Sequence, residues 1–188
     1  MLPNFCSSFF FSAFPNQKPL KIDVAFTPET IDPLNIYDKS VLIVDILRAT
    51  STIVTAIEKG ASYLIPVNTP EEAFKLYEQL NKNVILGGEI EGKRIKGFHL
   101  GNSISEYTSS IVKGKAIIMR TTNGTRAINA CKSAKNLVIG CFFNKTACCR
   151  YLIELGCDIL IVCSGKEGNF GIEDAVFTGA CVNVFEQL

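Results

Sequence analysis

The sequence predicts an α/β fold: a three-layer α/β/α arrangement around a largely parallel or mixed central sheet. Three observations carry this. Apolar runs of strand length alternate with helical patterns from residue 20 to the last residue. Several of those runs, such as "VLIVDI" from Val41, are apolar almost without a break, as expected of strands covered on both faces. The polar clusters stand at strand-to-helix junctions.

Taken in order, "KIDVAF" and "VLIVDI" read as strands. "TSTIVTAIEKG" reads as a helix, with Ile53, Val54 and Ile57 as its apolar stripe and Gly60 suited to its C-terminal cap. "YLIPV" is a short strand, and Pro66 favours an edge position because proline lacks the amide that a central strand must donate. "NTPEEAFKLYEQL" carries the clearest helix start: Thr69 as cap, Pro70 in the first turn and Glu72 completing a capping box. There follow "NVILGG" (strand), "SISEYTSSIV" (short helix), "KAIIMR" (strand) and "GTRAINACKSA" (helix). The pattern closes with "NLVIGCF" (strand), "KTACCRYLIELG" (helix), "DILIVCSG" (strand) and "IEDAVFTGACVNVFEQL" (helix).

No low-complexity linker divides the pattern, so residues 20–188 are expected to form a single α/β domain preceded by an extension, residues 1–19. That extension has an apolar patch but no charge before Lys18, so it lacks the basic segment of a signal peptide, and it is too short to span a bilayer. The last helix is apolar throughout, so one further strand beyond it is expected.

Composition narrows the function. At 47% hydrophobic and 20% charged the chain is globular, and a net charge of +1 argues against a nucleic-acid partner, since phosphate-backbone binders concentrate Lys and Arg. The eight cysteines include no Cys-x-x-Cys pair and the one histidine, His99, is remote from them, which leaves no spacing for structural zinc. Reduced, buried cysteines in a cytoplasmic protein are the expectation.

In open α/β sheets ligands bind at the carboxyl ends of strands, where helix N-termini also point. Each polar cluster falls there. Asp45, Arg48, Thr50, Ser51 and Thr52 follow one strand; Glu89 follows another, with Asn102 and Ser103 leading onward. Thr121, Thr122, Asn123, Thr125 and Arg126 form a third cluster, and Ser164, Gly165, Glu173 and Asp174 a fourth. Arginine offers bidentate geometry to an oxyanion, and carboxylates hold a hard divalent cation such as Mg²⁺ that bridges to phosphate oxygens. Each cluster also has a local reading. Asp45 and Arg48 could pair with the hydroxyls capping the next helix, "TTNGT" could be a turn and cap, and Glu173 and Asp174 could simply favour the helix dipole.

Sharper motifs fail. "GGEIEGKR" has the glycine spacing of a phosphate-binding loop, but Arg94 stands where a hydroxyl would reach Mg²⁺, and Glu89 and Glu91 would put negative charge in the cradle.

As a set, "VDILRATSTIVTAIEKGA", "LGGEIEGKRIKGFHLGNS", "TTNGTRA" and "GIEDAVFTGA" resemble the 2-phosphosulfolactate phosphatase family, in order from about Lys21 to about Ala180. The resemblance implies a Mg²⁺-dependent phosphatase that releases sulfolactate and phosphate, a step towards coenzyme M. It also implies a small anionic phosphorylated substrate. No nucleic-acid or membrane partner is expected, and self-association into a homo-oligomer is left open. The polar positions that match are Asp45, Arg48, Ser51, Glu89, Asn102, Thr125, Arg126, Glu173 and Asp174. From their chemistry, Asp45, Glu89 and Asp174 are the expected metal residues. Asp45, Arg48, Arg126 and Glu173 are the expected catalytic residues, and Arg48, Ser51, Asn102, Ser103, Asn123, Thr125 and Arg126 the expected substrate contacts. The chain departs from the family pattern at Ile90, where Arg is usual, at His99, where Asp is usual, and at Ile104, where Pro is usual. It also stops short of the usual family length by roughly a strand–helix unit. Two alternatives stand beside this reading: a phosphatase for another small acidic organophosphate, and a non-catalytic anion-binding homologue.

Overall fold

The structure, a computed structural model, describes residues 9–11, 19–80 and 83–188. The strands fall into two sheets. In the first, β1 (Phe9–Phe11), β2 (Leu20–Ala25), β9 (Ile159–Cys163), β3 (Ser40–Val44) and β8 (Asn136–Gly140) lie side by side in that order. In the second the order is β4 (Tyr63–Pro66), β7 (Ala116–Arg120), β5 (Val84–Ile90) and β6 (Lys93–Arg94). Pairing is parallel except where β1 runs against β2 and β6 against β5.

Among the described residues six helices cover these sheets: α1 (Ala49–Glu58), α2 (Pro70–Gln79), α3 (Ser109–Val112), α4 (Gly124–Ala130), α5 (Lys145–Glu154) and α6 (Ile172–Gln187). The strand alternation shows how. Val41, Ile43, Leu160 and Val162 of the first sheet share one core with Ile85, Ile117 and Met119 of the second, filled from between by Ile53 and Ala56 of α1 and Ala127 and Ile128 of α4. The other face of the first sheet (Leu42, Val44, Ile159, Ile161) packs on Leu152 of α5 and on Phe177 and Phe185 of α6. The other face of the second (Leu86, Ile118) packs on Ala73 of α2 and on Ile95 and Phe98. The predicted α/β class therefore holds. Each sheet is the middle of a three-layer sandwich, and the two sandwiches share the layer formed by α1 and α4. Every central strand is covered on both faces, so its residues are apolar whichever sheet it joins.

Local expectations largely hold. Gly60 ends α1 at a positive φ of 96°, and β4, with Pro66, is an edge strand. Thr69 Oγ1 accepts the Glu72 N–H at 3.1 Å, but the Glu72 carboxylate reaches back to the Asn68 N–H at 2.8 Å, one residue before the cap. The helix predicted over "SISEYTSSIV" is broken into a 3-10 turn, Ile104–Glu106, and α3. Local polar bonds interrupt it: Glu106 accepts the Gly101 N–H at 2.8 Å, and the buried Tyr107 hydroxyl donates to the Gly101 carbonyl at 2.8 Å.

Strand β6 was not predicted. It forms a hairpin with β5 through Glu91 and Gly92, both at positive φ (51° and 77°), the conformation of a two-residue primed turn. Of the predicted extension, Phe9–Phe11 add a strand to β2, and the remainder up to residue 18 lies outside the described residues. All the described cysteines are free thiols and, Cys157 aside, buried. No helix among the described residues is long and apolar enough to cross a membrane.

Candidate active site

The carboxyl ends of β3, β9, β5 and β7, two strands from each sheet, open on one cavity of about 390 Å³. Among its lining groups, Asp45, Glu89, Asn102 and Asp174 are nearly closed to solvent, at 7%, 7%, 5% and 3% exposure.

Strand β3 runs into Asp45, whose Oδ1 accepts the Ala49 N–H at 3.1 Å and so caps the first turn of α1. The hydroxyls that follow satisfy the backbone at the strand end. Thr50 Oγ1 accepts the Asp45 N–H at 3.1 Å and donates to its carbonyl at 2.9 Å, while Ser51 Oγ donates to the Ile46 carbonyl at 2.9 Å. The Arg48 N–H also acts on this carboxylate, and among the described residues no side chain bonds Asp45 Oδ2. Arg48 lines the cavity, and its guanidinium has no ion pair or hydrogen bond among the described residues; the local pair with Asp45 that the spacing allows is not formed.

Glu89, near the end of β5, accepts the Thr122 N–H at 2.7 Å through Oε1, and through Oε2 the Gly92 N–H at 2.6 Å and the Thr122 hydroxyl at 3.3 Å. It thereby ties the β5–β6 hairpin to the loop after β7. Gly88 permits this: at φ 141°, a side chain there would overlap the Arg120 carbonyl oxygen. Asn102 is pinned by the Thr52 hydroxyl, which donates to its carbonyl at 3.3 Å, and its Oδ1 is buried without a partner. Asp174, in the first turn of α6, accepts the Ile46 N–H through Oδ1 at 2.8 Å and the Gly165 N–H through Oδ2 at 3.2 Å.

Crowding of acids shapes the electrostatics. Burial, then the Asp174 charge, and more weakly that of Glu89, push the Asp45 carboxyl up to about 7 against the pull of the Ala49 amide. Burial likewise raises Asp174 to about 6, opposed by the Ile46 and Gly165 amides and assisted by Glu173. Six carboxylates line the cavity (Asp45, Glu89, Glu91, Glu167, Glu173 and Asp174) against two cations, Arg48 and Lys166. A polyanion entering such a site needs added positive charge. Among the described residues no three His, Cys, Asp or Glu side chains gather into a ready-made metal cage. The donor set therefore suits a hard cation held by one or two carboxylates, with water and ligand oxygens completing its shell, which is how Mg²⁺ is usually bound. Asp45 Oδ2 and the orphaned Asn102 Oδ1 are oxygens open to such a role.

Of the residues predicted from sequence, the cavity gathers Asp45, Arg48, Glu89, Asn102, Asn123, Glu173 and Asp174. Ser51, Ser103, Thr125 and Arg126 are absent from its lining. Ser51 is spent on the Ile46 carbonyl, Thr125 Oγ1 donates to the Thr121 carbonyl at 2.7 Å, and Ser103 pairs with the Ser105 hydroxyl at 3.0 Å. Arg126 Nη1 bonds Glu29 at 2.9 Å, with Nε and Nη2 buried and unpartnered. Lys166, Glu91, Gly92 and Glu167 line the cavity without having been singled out; the signal for Lys166 was its place in the loop "SGKEGNFGIED" after a strand. Ile90 and His99 also lie outside the lining. His99 Nδ1 accepts the Leu86 N–H at 3.0 Å and its ring packs 5.4 Å from Tyr77.

Comparison with known proteins adds a family. The family described as 2-phosphosulpholactate phosphatase matches residues 25–188. Two relatives, from Clostridium acetobutylicum and Clostridium novyi, are each 42% identical over 164 residues, 87% of this chain and 70% of theirs. A third, from Clostridium kluyveri, is 40% identical over 87% of this chain and 68% of its own. All three are described as probable 2-phosphosulfolactate phosphatases.

Proposed function

Because this chain belongs to the 2-phosphosulpholactate phosphatase family, we propose that its cavity hydrolyses 2-phosphosulfolactate to sulfolactate and inorganic phosphate with the help of Mg²⁺. One observation carries this reading: an unengaged arginine, Arg48, faces three buried carboxylates, Asp45, Glu89 and Asp174, in a single cavity.

The guanidinium fork of Arg48 matches two phosphate oxygens and holds the phosphoryl group in place. Asp45, held in orientation through Oδ1, would hold the cation through Oδ2. Asp174 and Glu89 add negative charge that retains the cation while their backbone bonds keep the surrounding loops fixed. Bound Mg²⁺ would supply charge neutralisation for the transferring phosphoryl group and a more acidic water. Glu173, which lines the cavity without a hydrogen bond to the backbone, is the group that would pass the proton released by the attacking water to the leaving alkoxide. In this reading the chain acts on a small anionic metabolite in the cytoplasm, on a route towards coenzyme M.

The test is phosphate release from racemic 2-phosphosulfolactate, with Mg²⁺ and with a chelator, beside an Asp45→Asn control that keeps a cooperative melt. Release that needs Mg²⁺ and disappears in the control is expected. Release that survives chelation, or survives in Asp45→Asn, removes the metal or Asp45 from the mechanism. A folded protein that releases no phosphate is a non-catalytic homologue or works on another ester.

A further inference from the structure

The two cations of the cavity stand on neighbouring loops. Arg48 follows β3 and Lys166 follows β9, and those strands pair in parallel with Val44 opposite Cys163, so their loops leave the sheet side by side. Like Arg48, the Lys166 side chain has no ion pair or hydrogen bond among the described residues, although six acids line the same cavity.

Its backbone, by contrast, is fixed. Lys166 N–H donates to the Asn169 carbonyl at 2.9 Å, and Asn169 N–H returns the bond at 2.9 Å. Glu167 N–H donates to Asn123 Oδ1 at 3.1 Å, and Gly165 N–H to Asp174 at 3.2 Å. Phe170, farther along the loop, packs with its ring centroid 5.5 Å from that of Phe26. A firmly held loop thus carries an exposed, unpaired lysine at the lining of the cavity.

We infer that Lys166 reads the second acidic group of a substrate whose phosphate Arg48 holds; this rests on the phosphatase reading above. The division of labour follows from the two head groups. A guanidinium matches phosphate through two parallel bonds, whereas an ammonium is a compact point charge that accepts a sulfonate or carboxylate in any orientation. Arg126, the other cation expected at the site from the sequence, lies outside the cavity lining, with Nη1 bonded to Glu29.

The experiment compares kcat/KM for 2-phosphosulfolactate and for ethyl phosphate, which has no second acid, in the wild type, Lys166→Ala and Lys166→Arg. Lys166→Ala is expected to lower the ratio of the two values by roughly ten- to a hundredfold, the usual worth of a hydrogen bond to a charged group, chiefly through the KM of the sulfonated ester. Lys166→Arg should restore most of it. Equal losses on both esters, or no loss on either, overturn the assignment. Calorimetric titration with sulfolactate, which has no phosphate, needs no turnover. Binding weakened by a similar factor in Lys166→Ala is expected, and equal binding overturns the role of Lys166. Should the wild type release phosphate from neither ester while sulfolactate binding depends on Lys166, the phosphatase reading falls and the assignment of Lys166 stands.

Discussion

The Asp174 carboxylate accepts the Ile46 N–H at 2.8 Å, joining the first turn of α6 to the turn after β3 across 128 residues of chain. Its other oxygen takes the Gly165 N–H at 3.2 Å, so one side chain sets both loops that carry the cations of the cavity. Asp174→Ala would leave these amides without acceptors, and the protein is expected to lose about 2–3 kcal/mol of stability. Urea denaturation at pH 5, where repulsion between the raised carboxyls is weaker than at neutral pH, is the measurement. Asp174→Asn, which keeps one acceptor, should lose less, and an unchanged midpoint in Asp174→Ala would show that the two loops hold without it.

The raised carboxyls predict how pH acts on the metal-free protein. Asp45 and Asp174 sit at about 7 and about 6 when folded, above the ordinary 3.8. Their protonated forms therefore favour folding fully below pH 4, and that contribution is lost as pH rises through 6 and 7. Relative to Asp45→Asn, the wild type should lose several degrees of Tm between pH 5 and pH 8. Millimolar Mg²⁺ should raise the wild-type Tm more at pH 8 than at pH 5. Parallel melting curves for the two proteins would show that Asp45 is not held protonated by its surroundings.

Arg48 is the head group proposed to meet phosphate. Arg48→Ala should reduce kcat/KM for 2-phosphosulfolactate by about two orders of magnitude or more. Arg48→Lys should recover only part of that, because an ammonium cannot reproduce the two parallel bonds of the fork. Steady-state phosphate release decides it, and full activity in the lysine variant would show that charge alone is sufficient.

Gly124 lies where α1 and α4 meet behind Asp45. An added Cβ would overlap the Ala49 side chain and come within 2.9 Å of Asp45 Oδ2. Within a helix, Gly→Ala normally stabilises by up to about 1 kcal/mol. Here the sign should reverse, with Gly124→Ala losing about 1–3 kcal/mol through overpacking. A variant as stable as the wild type or more so would mean that the two helices can part at that point.

The order of strands and helices was legible because periodicity and capping are local properties; β3, α1 and α2 are examples. The gathering of Asp45, Glu89, Asn102, Glu173 and Asp174 was legible as well, since parallel strands bring their carboxyl ends to one side. The pairing of strands into two sheets was not, because Val41 and Ile117 would be apolar in either arrangement. Arg126 misled through its neighbour: successive helical residues point about 100° apart, so Thr125 turns inward while Arg126 reaches Glu29. Lys166 passed unnoticed because the chemistry sought was an arginine fork. The short strand β6 was hidden because its turn places Glu91, a residue that rarely adopts positive φ, where Asn or Gly is the usual signal.

The seam between the two sheets has a consequence for assembly. Asp45 and Asp174 belong to one half of the molecule and Glu89 and Asn102 to the other, so neither half carries a working set of groups. A chain that has formed one sheet but not yet docked the second lacks part of the set proposed to hold the cation. Recovery of Mg²⁺-dependent phosphate release during refolding should therefore lag behind recovery of secondary structure, and would serve as a clock for the closing of that seam.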